Sequence, residues 1–297
     1  MLKKALFRPL LIVAAFACGA LFPQLGEAKF VIRYFLIVML YFIFLPLELK
    51  ELKLYSSHFV LSVVNIVIAI VSWYVAGLTG NRALAEAAFF TAITPTASAA
   101  PVIMKFLGGN VAYIITAFVV CNSIVSAALF LMLPVMITGE VNTMGFLNSA
   151  ASLFMLMGVP AVLAAVTRWI YPGSMGWGKK CANFSFLLWV ILLCVISGSA
   201  MKFFYAHADI PYYYYLIIAG MSLVICAVNF AVGYLLGGKK FCREASQSLG
   251  QKNTTFTIVL ASTFGSPLAA MGPTFYVLWH NLWNAFQLFM HDRKKTE

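Results

Sequence analysis

The chain has 297 residues, of which 63% are hydrophobic and only 10% charged. A soluble domain carries about 25% charged residues, so this composition, with a mean hydropathy of +0.93, excludes a soluble globular protein and points to a polytopic membrane protein. The formal net charge of +11 would suggest a nucleic-acid partner in a soluble chain; here the placement of the basic residues between apolar runs accounts for it, and no nucleic acid is implied.

The first apolar run follows the basic start Met1–Arg8 and extends to Phe22. A signal peptide is one reading; because everything downstream is also membrane-spanning, a first transmembrane helix is the better one. Hydropathy then places ten spans, at about 6–23, 30–48, 57–79, 84–107, 110–137, 144–170, 182–204, 211–236, 241–264 and 268–290. With the N-terminus in the cytoplasm, 15 of the 20 Lys and Arg residues fall on the cytoplasmic side. Lys29, Arg33, Arg82 and Lys202 fall outside, and Lys252 falls within the membrane. That bias predicts an even number of spans in the cell membrane, with both termini cytoplasmic. The six cysteines, Cys18, Cys121, Cys181, Cys194, Cys226 and Cys242, are scattered, with no spacing that suggests a metal, a cofactor or a disulfide framework.

Two of the spans are interrupted. The fourth carries Thr94-Pro-Thr-Ala-Ser-Ala-Ala-Pro101, whose prolines remove backbone donors. The ninth carries Glu244-Ala-Ser-Gln-Ser-Leu-Gly-Gln-Lys-Asn-Thr-Thr-Phe256, rich in hydrogen-bonding groups and poor in helix propensity. Counted from Phe241, Lys252 lies 11 residues in, roughly 16 Å along a helix and so about halfway through a ~30 Å hydrocarbon core. A lysine there costs about 2.5–3.5 kcal/mol unless it finds a partner or a wet cavity. The plainer reading is a snorkelling lysine in a loop, but the 11 residues from Thr255 to Gly265 are too few to cross a membrane. Ten spans divide into five and five, which gives the halves opposite orientations. Each interruption is the fourth element of its half, the pattern that marks a transporter site in an inverted repeat.

At these residues the chain resembles the bile acid:sodium symporter family. The resemblance runs through Pro95-Thr-Ala-Ser98, Gly109-Asn-Val-Ala112 and Leu131-Met-Leu-Pro-Val-Met-Ile-Thr-Gly-Glu140, and resumes at Leu249-Gly-Gln-Lys-Asn253 and Val277-Leu-Trp-His-Asn281. It implies an all-α integral membrane protein of two inverted five-helix repeats, at 1–140 and 141–297, with broken fourth and ninth helices that cross near the middle of the membrane. Helices 3–5 and 8–10 would form a core, and helices 1, 2, 6 and 7 a panel.

The departures from the family pattern concern sodium. Its ninth-span glutamate and glutamine fall on Ser248 and Lys252, its fourth-span Ser-Asn pair on Ala100 and Pro101, and its fifth-span hydroxyl ligands near Ile114 and Phe118. None of the nine acidic residues sits deep in a span, Glu86 and Glu244 being nearest. The expectation is a sodium-independent secondary transporter with no metal, in which the Lys252 ammonium stands where the family holds a cation. Whether Lys252 exchanges a coupling proton or is a fixed cation is left open.

The substrate implied is a small organic anion. Half-helix N-termini and Lys252 favour negative charge, and Thr96, Ser98, Asn253 and Thr254 supply neutral hydrogen bonds, with Ser248 and Gln251 in the same motif. Asn65 stands where the resemblance implies a third-span polar ligand, and His280 is a candidate proton partner for Lys252 or a structural histidine. Phe89, Phe90 and the Tyr212–Tyr215 run are candidates for an apolar lining or for an interfacial belt. An intramembrane enzyme is disfavoured, since His58, His207, His280 and His291 lie in unrelated places and no HExxH or GxSxG occurs. A channel and a non-transporting receptor or scaffold remain as alternatives.

Overall fold

The computed structural model of the protein describes residues 2–47, 49–133, 136–137, 143–206 and 210–296. His207 and part of the 131–140 stretch lie outside the described residues. The helices are α1 (Leu2–Leu21), α2 (Phe30–Phe44), α3 (Ser56–Gly77), α4 (Arg82–Ile93), α5 (Ala100–Phe106), α6 (Val111–Leu133) and α7 (Thr143–Ile170). They continue with α8 (Trp177–Lys180), α9 (Ala182–Ala206), α10 (Tyr212–Leu236), α11 (Gly238–Gly250), α12 (Thr254–Phe264) and α13 (Pro267–Thr296).

Among the described residues, α3, α6, α10 and the Asn183–Ala206 part of α9 are long and apolar enough to cross a membrane. Shorter apolar helical stretches occupy Leu10–Leu21, Phe30–Phe44 and Gly158–Ile170. The protein is an all-α membrane protein. Helix α13 has 30 residues, length enough to cross, yet it falls outside that apolar set. The polar residues His280, Asn281, Asn284, Gln287 and His291 along it are the reason.

Helix α3 shows how the membrane inverts amphipathicity. Phe59, Val63, Val67, Val71 and Tyr74 are exposed at three- and four-residue intervals, an apolar stripe suited to lipid. The opposite face buries His58, Ser62 and Asn65. A soluble helix would present the reverse pattern; in hydrocarbon, polar groups must turn towards other protein.

Two apolar clusters organise the packing. One joins α1, α2 and α9 to α5, to α6 through Ile114, Ile115 and Phe118, and to α13 through Ala285 and Leu288. The second gathers side chains from α3, α4, α6, α10, α12 and α13 around Phe89, Phe90 and Tyr276. Phe89 and Phe90 are therefore core residues, fully buried, with Trp73 set edge-on to Phe89. Close approach of α13 to α4 depends on Gly272, where an added Cβ would run into Thr91 Oγ1 and the Ala87 carbonyl; small residues at such crossings let backbones pack without lipid between them. At an exposed edge, Lys202 donates to Glu27 at 2.7 Å, tying the α1–α2 connection to α9. That hydrogen bond holds the Glu27 carboxyl below its ordinary range.

Candidate functional site

The site is built from two helix breaks. Helix α4 begins with an N-cap, the Asn81 side chain accepting from Ala83 N at 3.0 Å and Leu84 N at 3.3 Å. It ends at Ile93 because Pro95 has no N–H to continue it and because the residue before a proline is driven out of the helical region. Thr94 accordingly has a ψ of 126°. Pro101 then sits in the first turn of α5, where a missing N–H costs nothing. Helix α11 ends at Gly250, followed by Gln251 at φ −88° and ψ 106°. An added Cβ at Gly250 would collide with the Phe230 ring.

The two extended segments pair with one another. Ala97 N donates to Gln251 O at 2.8 Å, and Asn253 N donates to Pro95 O at 2.8 Å, which makes Thr96 and Lys252 an antiparallel bridge. Side chains reinforce the pairing. Thr96 Oγ1 donates to Ser248 O at 2.7 Å, and Asn122 Nδ2 of α6 donates to Thr96 O at 3.0 Å. Thr94 and Thr257 join their hydroxyls at 2.8 Å, and Tyr276 of α13 donates to Gly250 O at 2.8 Å. Two interrupted helices thus satisfy each other's freed backbone groups, as a membrane interior requires.

Lys252 is 2% exposed. Its Nζ donates to Asn65 Oδ1 and to Ala92 O, the latter at 3.1 Å. Asn65 Nδ2 in turn donates to Ile93 O at 3.0 Å. The ammonium therefore lies against the C-terminal end of α4, where unpaired carbonyls and the helix dipole favour a cation. Those partners are Asn65 and Ala92, not His280, so a direct Lys252–His280 hydrogen bond is absent among the described residues.

A cavity of about 60 Å³ lies beside the crossing. Its polar lining is Ser98, Gln251, Lys252, Asn253, Thr254, His280 and Asn281, facing apolar side chains of α2 and α9 such as Leu36 and Trp189. Six of the nine residues singled out by sequence thus meet at one cavity. Thr96 and Ser248 stand behind it in the pairing, the Ser248 hydroxyl being directed to Glu244 O at 2.8 Å. Asn65 stands behind it and accepts from the Nζ of Lys252, which is itself a lining residue.

The fourth- and fifth-span positions implied for sodium ligands are apolar and buried. Ala100 and Ile114 are fully buried, and Pro101 and Phe118 are buried among apolar neighbours. Among the described residues no group of three His, Cys, Asp or Glu side chains gathers to hold a metal.

Glu86 and Glu244, expected near span boundaries, are both buried and partnered. Glu86 accepts from Ser266 N at 2.8 Å, just before α13. Glu244 accepts from Asn110 N at 2.8 Å, just before α6. Each carboxylate holds the start of a helix distant in sequence. Asn122, Gln247, Thr257, Tyr276 and Asn284 also belong to the crossing and were not expected from the sequence; for Asn122, a lone amide inside an apolar run was the available signal.

The chain matches no family model, and no curated protein matches it.

Proposed function

We propose that this protein is a secondary transporter of a small organic anion, sodium-independent, built as two inverted five-helix repeats in the manner of the bile acid:sodium symporter family. The observation that carries the reading is the antiparallel pairing of two broken helices with Lys252 at the pairing point and a polar cavity beside it. Broken helices are tolerated in a membrane where they are buried in protein or line a cavity, and transporters place them at the repeat interface.

The repeat is supported by reciprocal contacts. Glu86 on α4 holds the start of α13, and Glu244 on α11 holds the start of α6. Under a five-plus-five division these are the same contact made once in each direction. Sodium independence is supported by the Lys252 ammonium at the end of α4 and by apolar Ala100, Ile114 and Phe118 at the positions the family uses for ligands. A cavity of about 60 Å³ suits a small carboxylate rather than a steroid. The charge bias puts both termini in the cytoplasm of a cell-membrane protein.

The test is uptake of labelled small organic anions into proteoliposomes, with sodium replaced by choline at constant ionic strength. Uptake should saturate and be unchanged by the replacement, within about twofold. A saturable dependence on sodium would overturn the sodium-independent reading, and no uptake of any small organic anion would overturn transport itself.

A further inference from the structure

Helix α13 carries His280, Asn284, Gln287 and His291 at intervals of four, three and four residues. At 3.6 residues per turn these stack on one side of the helix. His280 is 5% exposed and Asn284 fully buried. Across from them stand Gln247 on α11 and Gln251 just past its end, four residues apart and almost fully buried. Gln247 Nε2 donates to Gln251 Oε1 and to Asn284 Oδ1, the latter at 2.9 Å. Gln251 and His280 line the cavity at the crossing. At the opposite end, His291 packs against Gly108, Arg243 donates to Leu107 O at 2.8 Å, and Glu244 accepts from Asn110 N. Polar side chains therefore recur from the cavity towards the 107–110 turn, with Gln251, Gln247 and Asn284 joined by hydrogen bonds.

This row cannot satisfy itself. A primary amide has two N–H donors and an acceptor oxygen. Gln247 spends both donors, leaving its Oε1 without a protein partner among the described residues, as are Asn284 Nδ2 and His280 Nδ1. Exchanging oxygen and nitrogen in all three amides only moves the deficit, to Gln247 Nε2 and Asn284 Oδ1. Buried polar groups in that position are met by water, each molecule making about three hydrogen bonds.

We propose that α11 and α13 enclose a hydrated track connecting the Lys252 cavity to the 107–110 turn, with Gln247 and Asn284 as its central rung. Its use as a proton route to the cavity rests on the transporter reading; its hydration does not. The titratable and charged groups around it are Lys252 and Cys226 with Tyr276 at the inner end, His280 along it, and Glu244, Arg243 and His291 at the outer end.

Radiolytic hydroxyl-radical labelling of the full chain in nanodiscs tests the track, because radicals form where water is held. His280 should be oxidised several-fold faster than Phe89 and Phe90, which are fully buried among apolar side chains. Asn284→Leu should lower His280 labelling several-fold; if that variant does not fold, Gln247→Met serves the same purpose. His280 labelling no faster than that of Phe89 and Phe90 overturns the track, whatever uptake shows. His280 labelling that falls in Asn284→Leu, in a protein without uptake, leaves the track standing and removes the transporter reading alone; labelling unchanged by that substitution belongs to the cavity and overturns the track. Where uptake follows an imposed pH gradient, Asn284→Leu should reduce that response at least fivefold, and an unchanged response overturns the proton role.

Discussion

The break between α4 and α5 contains Pro95 and is followed by Pro101, whereas the break between α11 and α12 contains no proline at all. At the first, covalent geometry ends the helix: Pro95 has no N–H, and Thr94 before it is forced to an extended ψ. At the second, the glycine that ends α11 costs only about 1 kcal/mol in a helix interior, too little by itself to interrupt one. What holds this break open is tertiary. It pairs with the first break, Tyr276 takes up the Gly250 carbonyl, and Lys252 is drawn towards Asn65 and the end of α4. The first break is thus a template, and the second is moulded on it. The charged residue, Lys252, sits on the moulded side.

Removing the moulding charge should have the largest effect. Lys252→Ala is expected to lower uptake of a small organic anion more than tenfold while membrane insertion stays near normal, because deleting a buried charge eases insertion. Lys252→Gln keeps hydrogen bonding to Asn65 without the charge, and should also fail if electrostatics matters. Wild-type uptake by Lys252→Ala would return the lysine to a structural role and make the two breaks functionally alike.

Next in size is the anchor on the template side. Asn65 both accepts from Lys252 and donates to the Ile93 carbonyl at the end of α4. Asn65→Ala should destabilise the protein by about 1.5–3 kcal/mol, the range for a hydrogen bond to a charged group, seen as a lower unfolding midpoint in detergent. Combining it with Lys252→Met should recover part of that loss, since no buried charge is then left unpaired. Additive losses would show that Asn65 supports the first break alone.

The smallest effect expected is at the carboxylates. Glu86→Gln and Glu244→Gln each replace a charge-assisted bond to a helix start by a neutral one, and each should cost about 1 kcal/mol. Similar losses in thermal stability would match a repeat of equivalent halves. A loss confined to Glu244→Gln would show that only the Lys252 side depends on such support.

Membrane character, the limits of most helices and the first break were legible in the sequence, because length of apolar run and proline act locally. Lys252 was legible as a problem: a charge about halfway through a hydrophobic span must find a partner. Its solution was not. Asn65 stood out at mid-span, where the resemblance implies a polar ligand, but that its oxygen meets Lys252 while its nitrogen meets Ile93 depends on how α3 packs beside α4. His280 was legible as a candidate partner of Lys252 or a structural histidine; it lines the cavity, while Lys252 bonds to Asn65 and Ala92. Glu86 and Glu244 looked peripheral because position along a helix says nothing of what comes from elsewhere to cover it.

Local sequence was enough to make this chain helical and membrane-bound, to stop α4 before Pro95, and to set a polar, charged stretch inside the apolar run 241–264. Tertiary structure alone decided where the donors and acceptors freed by those features go: Pro95 O to Asn253, Gln251 O to Ala97, and the Lys252 ammonium to Asn65 and Ala92. The reason is the solvent. In hydrocarbon a freed polar group has no water to turn to, so its partner must come from a distant part of the chain, and packing selects which part.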